Sequence, residues 1–184
     1  MNYIPTDIEG VWILEPRLFE DARGYFMETY RKEDFDKAIG HEVNFIQDNQ
    51  SKSSRCVLRG LHYQKGETSL AKLVRVLHGS VVDVDVDLRR YSPTFGRHVM
   101  VELSAENKRQ LFIPRGFAHG FQVLSDEAVF TYKVDNRYAP EAECSIRFDD
   151  PQLDIKWPIS HPEEMLLSEK DLKHAVAISE AELF

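Results

Sequence analysis

Residues 81–88 read VVDVDVDL, and this alternation constrains the chain more than any other segment. Val82, Val84, Val86 and Leu88 fall on one side of an extended chain and Asp83, Asp85 and Asp87 on the other, a period of two that a helix cannot place on single faces. The pattern predicts a strand buried on its aliphatic side, with the carboxylates on a solvated outer face. The other arrangement open to it is a barrel wall, in which Asp83 or Asp85 points inward and orients His119. A calcium site fits less well, because a straight strand lacks the looped oxygen ligands that calcium uses.

The neighbouring segments extend the β reading. KLVRVLHGS supplies a second β-rich run ending in a Gly79-Ser80 turn, so residues 72–89 are expected to form a hairpin. GRHVMVELS, RQLFIP, GFQVL and AVFTYKV follow at short spacing, the pattern of a β-sandwich or barrel. Two segments read as helix instead. RKEDFDKAIG places Phe35 and Ile39 on one face and stops at Gly40, and Ser168 with Asp171 resembles a capping box opening EKDLKHAVA.

With 184 residues and no linker or repeat, the chain is expected to form one domain, residues 1–184. A net charge of −8 argues against general affinity for nucleic acid or anionic membranes, while leaving room for a local cationic pocket. No apolar run approaches the roughly 20 residues of a membrane helix, and MNYIPTDIEG lacks the basic and apolar regions of a secretion signal, so a cytoplasmic location is expected. Cys56 and Cys144 have no metal-binding or redox spacing and read as free thiols.

Metal-binding barrels of the cupin type commonly carry a His-x-His pair and, later, a Pro-x-Gly-x-x-His element. The chain has the second as Pro114 to His119, but the first reads His62-Tyr63-Gln64. A neutral amide oxygen is a weak donor toward zinc or iron, so no metal is expected here.

FEDARGYFMETY, QDNQSKSSRCVLRGLHYQ, VVDVDVDLRRYSPTFG, IPRGFAHGFQVL, YKVDNRYAPEAE and DPQLDIKWP occur in that order. Together they resemble the dTDP-4-dehydrorhamnose 3,5-epimerase family from about residue 15 to residue 171. The resemblance implies an all-β, cupin-type jelly-roll barrel with a few short peripheral helices, usually a homodimer, without cofactor. Its substrate would be a dTDP-4-keto-6-deoxy sugar, in which the protons on carbons 3 and 5 flank a ketone and can each be removed and returned from the opposite face. That chemistry needs a base, a stabiliser for the enolate oxygen and an acid.

The resemblance assigns these roles. His62 is the base, a role suited to imidazole with its unperturbed pKa of about 6.5, against the plainer reading of a hydrogen-bonded structural histidine. Asp171 orients that base, against a reading as a helix cap. Lys72 stabilises the enolate, although by position alone it would be an exposed strand-end lysine. Tyr132 is the acid, although by position alone it would be a core aromatic with a polar tip.

Arg23, Arg59 and His119 would meet the diphosphate, Gln47 and Asn49 the thymine edge, Glu28 a ribose or base group, and Tyr138 would stack on thymine. Glu143 and Lys170 complete the implied substrate-binding set. Three other functions remain open: an epimerase of a single carbon, a metal-dependent cupin oxygenase, and a non-catalytic sugar-nucleotide binding module.

Overall fold

The computed structural model describes residues 1–161 and 163–184. Its strands are β1 (Asn2–Pro5), β2 (Trp12–Glu15), β3 (Leu18–Asp21), β4 (Gly24–Met27), β5 (Gln47–Ser54), β6 (Leu58–Gln64), β7 (Lys72–His78), β8 (Ser80–Asp87), β9 (His98–Ser104), β10 (Gln110–Ile113), β11 (Phe117–Val123), β12 (Glu127–Val134) and β13 (Glu143–Ser145). Two α-helices join them, α1 (Lys32–Ile39) and α2 (Glu169–Lys173). A six-stranded sheet runs β1-β2-β10-β7-β12-β5, a five-stranded sheet runs β13-β6-β11-β8-β9, and β3 with β4 makes a separate hairpin. The expected jelly-roll architecture with short helices is what the chain forms.

The sheets close on a shared core. Val74 and Val76 of β7 and Phe130 of β12 meet Phe117, Phe121 and Val123 of β11 and Val101 and Leu103 of β9. The rings of Phe121 and Phe130, one from each sheet, stack with centroids 4.2 Å apart. A second cluster lies on the far side of the five-stranded sheet, where Val82, Val84 and Val86 pack against Leu153, Trp157 and Ile178 from the C-terminal region. Outside the six-stranded sheet, Phe35 of α1 packs on Leu14, Leu73 and Phe112. That helix ends as expected at Gly40, whose φ of 86° is left-handed.

This layering overturns the solvated reading of the aspartates. The C-terminal region covers the valine side of β8, so its other side turns toward the opposing sheet, and Asp83, Asp85 and Asp87 are all 0% exposed. The expected hairpin over 72–89 is also corrected. β7 pairs with β10 and β12, whereas β8 pairs with β9 and β11. Gly79 (φ 73°) therefore passes the chain between sheets, and a Cβ there would lie 2.0 Å from the Glu127 carbonyl oxygen. The second helix stops at Lys173, short of the apolar stretch that follows it.

Candidate active site

The interior row that matters is built by strand register. His62 on β6 pairs with His119 on β11, and His119 pairs with Asp85 on β8, so the three share one face of the five-stranded sheet. The backbones come close here, since a Cβ at Gly60 would stand 2.4 Å from the Gly120 Cα. From the opposing sheet β7 contributes Lys72 and β12 contributes Tyr132. Two cavities, about 310 Å³ and about 190 Å³, share His62, Lys72 and Tyr132 in their walls. Gln47, Asn49, Tyr138 and Glu143 line the larger, and Arg59 and His119 the smaller.

His62 Nε2 lies 2.5 Å from Asp171 Oδ1. Asp171 is held in turn by the N-cap of α2: Ser168 Oγ donates to Asp171 Oδ2 at 2.8 Å and accepts from the Asp171 backbone N–H at 3.1 Å. Ser168 is thus the N-cap, and the Asp171 carboxylate that accepts from its hydroxyl also meets the His62 imidazole. Burial pushes this carboxyl up, but the hydrogen bond and charge of His62 and the Ser168 donors outweigh it and hold the group below its ordinary value.

His119 has both ring nitrogens engaged. Its Nε2 donates to Asp83 Oδ2 at 2.9 Å, which leaves Nδ1 to accept from the Lys72 ammonium at 3.1 Å. Burial, then the nearby charges of Lys72 and His62, keep this imidazole well below its ordinary pKa, and so neutral. Burial also lowers Lys72 to about 8, against the opposing pull of Asp85, Asp83 and Glu143. Asp83, Asp85 and His119 set one oxygen or nitrogen each within 4.8 Å of one another, and the cation beside them is the Lys72 ammonium. Tyr132 is raised by burial, a trend that Arg59 opposes and Glu143 adds to.

Gln64, which stands where a metal-binding cupin would have its second histidine, is fully occupied. Its amide donates to the carbonyls of Thr68 (2.7 Å) and Arg137 (3.0 Å) and accepts from the Ala139 N–H (2.8 Å). It clamps the loop that presents Tyr138, a role that the sequence does not announce. The Tyr138 hydroxyl and the Lys170 ammonium both donate to Glu143 Oε2. Burial raises the Glu143 carboxyl, but these two partners outweigh it and hold it low. At the rim Gln47 Nε2 donates to Asn49 Oδ1 (2.7 Å), and Arg59 Nε donates to Ser53 Oγ (3.1 Å).

Arg23 and Glu28 line neither cavity. Arg23 sits in the turn of the β3–β4 hairpin, 90% exposed and paired with Asp21, and Glu28 pairs with Arg31. The same hairpin exposes Phe19, Tyr25 and Phe26.

The sequence matches the family described as dTDP-4-dehydrorhamnose 3,5-epimerase over residues 5–178. It is 54% identical to the dTDP-4-dehydrorhamnose 3,5-epimerase of Shigella flexneri, over 94% of this chain and 93% of that protein. Among solved structures, the dTDP-4-dehydrorhamnose 3,5-epimerase of Elizabethkingia anophelis superposes with a TM-score of 0.93 at 51% identity, covering 98% of each chain. The 3,5-epimerase of Legionella pneumophila, solved with dTDP-4-keto-L-rhamnose, superposes with a TM-score of 0.92 at 48% identity, covering 98% of this chain and 94% of that one. With a family match across nearly its whole length and relatives above half identity, the chain belongs to the dTDP-4-dehydrorhamnose 3,5-epimerase family.

Proposed function

We propose that the chain epimerises carbons 3 and 5 of dTDP-4-dehydro-6-deoxy-D-glucose, in the direction of L-rhamnose. The observation that carries this reading is the placement of His62 on one sheet and Tyr132 on the other, facing a shared cavity with Lys72 between them in sequence and in its walls. With the Nε2 proton of His62 held by Asp171, Nδ1 carries the lone pair that takes the substrate proton. The C–H electrons move to the carbon-4 oxygen as an enolate, which the Lys72 ammonium stabilises. Tyr132 then donates its hydroxyl proton from the opposite side, and the enolate collapses to the ketone with that carbon inverted. One proton leaves and one arrives at each carbon, so the reaction balances without an oxidant or reductant.

Tyr138, ordered by Glu143 and Lys170, offers a ring to stack on thymine, and Gln47 and Asn49 offer amides to its edge. Arg59 reaches the diphosphate, and His119, fixed by Asp83, stands with it in the inner wall. Arg23 and Glu28 reach a substrate only if the β3–β4 hairpin docks on a second copy of the chain. The exposed rings of Phe19, Tyr25 and Phe26 favour that homodimer, which Phe26→Glu is expected to dissociate in sedimentation experiments.

We read residues 1–184 as one domain, because both sheets share a core. Among the described residues no helix is long and apolar enough to cross a membrane. We read the enzyme as cytoplasmic because its proposed substrate, a doubly charged nucleotide sugar, does not pass a hydrocarbon layer unaided. The test is turnover in deuterium oxide after chelator treatment. Solvent deuterium at carbons 3 and 5 of the product is expected. Label at carbon 3 or carbon 5 alone would replace this reading with the single-carbon epimerase, loss of activity under chelator with the metal-dependent cupin, and no label with the binding module.

A further inference from the structure

Asp85, paired with His119 behind the smaller cavity, is a carboxylate that the chemistry above does not use. It is 0% exposed, and neither of its oxygens has a hydrogen-bond partner. Asp83 differs, since His119 donates to its Oδ2. The two carboxylates and the His119 imidazole stand within 4.8 Å of one another, with the Lys72 ammonium on the far side of that imidazole. Two buried carboxylates beside one ammonium and a neutral imidazole carry one negative charge too many. An unpartnered, buried carboxylate is the member that relieves the excess by keeping its proton.

We propose that Asp85 is a positioning residue that guards the charge of Lys72: it holds a proton in the neutral enzyme and surrenders it as the medium turns alkaline, so that Lys72 remains an ammonium. The groups facing this pair come from every neighbouring strand. His62 and Arg59 lie on β6, Asp83 on β8, His119 on β11, Tyr132 on β12 and Glu143 on β13, while β9 places uncharged Val99 opposite Asp85. Of the charges that favour the Lys72 ammonium, Asp85 is the foremost, ahead of Asp83 and Glu143. Burial and the neighbouring Asp83 hold the Asp85 proton on far above the ordinary carboxylate range. The group therefore titrates together with Asp83 and Lys72, not independently. Once ionised it adds the second negative charge that makes removal of a proton from Lys72 harder.

The importance of this for catalysis rests on the reading of Lys72 as the enolate's counter-charge, but the titration can be followed without substrate. In protein labelled with ¹⁵N-lysine, the Nζ resonance absent from Lys72→Met reports Lys72 through its pH titration. A midpoint near 8 is expected in the native protein, and in Asp85→Asn, isosteric with the protonated acid, a midpoint lower by about one pH unit or more, a tenfold change in proton affinity. An unchanged or higher midpoint in Asp85→Asn overturns the proposal, whether or not the enzyme epimerises the proposed sugar. Should Asp85→Asn fail to fold, the infrared spectrum of native protein labelled with ¹³C-aspartate decides: a buried carboxylic acid band present near neutrality and lost at alkaline pH is expected, and its absence at neutrality overturns the proposal. When turnover is measurable, the alkaline limb of kcat/KM in Asp85→Asn shifts to lower pH by the same interval, and superimposable profiles count against the proposal.

Discussion

Asp171 Oδ1 stands 2.5 Å from His62 Nε2, a contact made across 109 residues of sequence by a side chain from the N-terminal turn of a five-residue helix. His62→Ala is expected to lower turnover by about 10² to 10⁴ while dTDP binding, measured by calorimetry, persists, because the residues proposed to hold the nucleotide lie elsewhere. Asp171→Asn should lower kcat more than it raises KM, since it leaves the base in place but frees its tautomer. Near-native turnover in His62→Ala would remove the imidazole from the mechanism.

Tyr132 lines both cavities and has a neighbour, Phe130, at 6.1 Å between ring centroids. Tyr132→Phe retains the ring, so thermal melting should change little. Reprotonation from its side fails, and the substrate is expected to exchange hydrogen with deuterium oxide through His62 while little inverted product forms. A collapse of the melting temperature would instead make Tyr132 a structural residue.

The lowered value of Lys72, about 8, sets a direction for the pH profile. The ammonium is present below that value and is lost as pH rises through it, so kcat/KM should fall on the alkaline side with a limb near 8. Lys72→Met should remove most activity throughout and abolish this limb.

Asp87 is buried, and burial pushes it up, but Arg89, Ser92 and Thr94 outweigh this and hold it at about 2, against an ordinary value of 3.8. Because the folded-state value is depressed, its stabilisation is complete above the unfolded value and is lost as pH falls toward about 2. Asp87→Asn should therefore cost on the order of 2 kcal/mol in urea unfolding at pH 7. The difference from native protein should shrink as the medium is acidified.

The β-rich core strands could be read from their sequence because alternation survives burial, as in β8, and helix α1 because Phe35, Ile39 and Gly40 mark its face and its end. Strand β5 could not: QDNQSKSS is entirely polar, since it lies at a sheet edge and pairs only with β12. Which way the aspartate face turns is not legible in β8, because alternation reports two faces without saying what covers each. The covering residues, Leu153, Trp157 and Ile178, lie far along the chain. The link from His119 to Asp83 is the barrel-wall arrangement that the alternation leaves open, whereas the link from His119 to Lys72 depends on how the two sheets face each other, which no local pattern records. The family motifs group Arg23 and Glu28 with the pocket, and a single chain leaves them apart from it.

The stacked rings of Phe121 and Phe130 join the sheet that bears His62 to the sheet that bears Tyr132. They act as a shim: the gap between the sheets at His62 and Tyr132 is as wide as this apolar contact allows. A smaller side chain at either position would let the jaws of the cleft close or tilt without altering one reacting group. On the proposed mechanism the stereochemical outcome would then depend on the thickness of this contact, whose two rings also line the smaller cavity, as well as on the base and the acid.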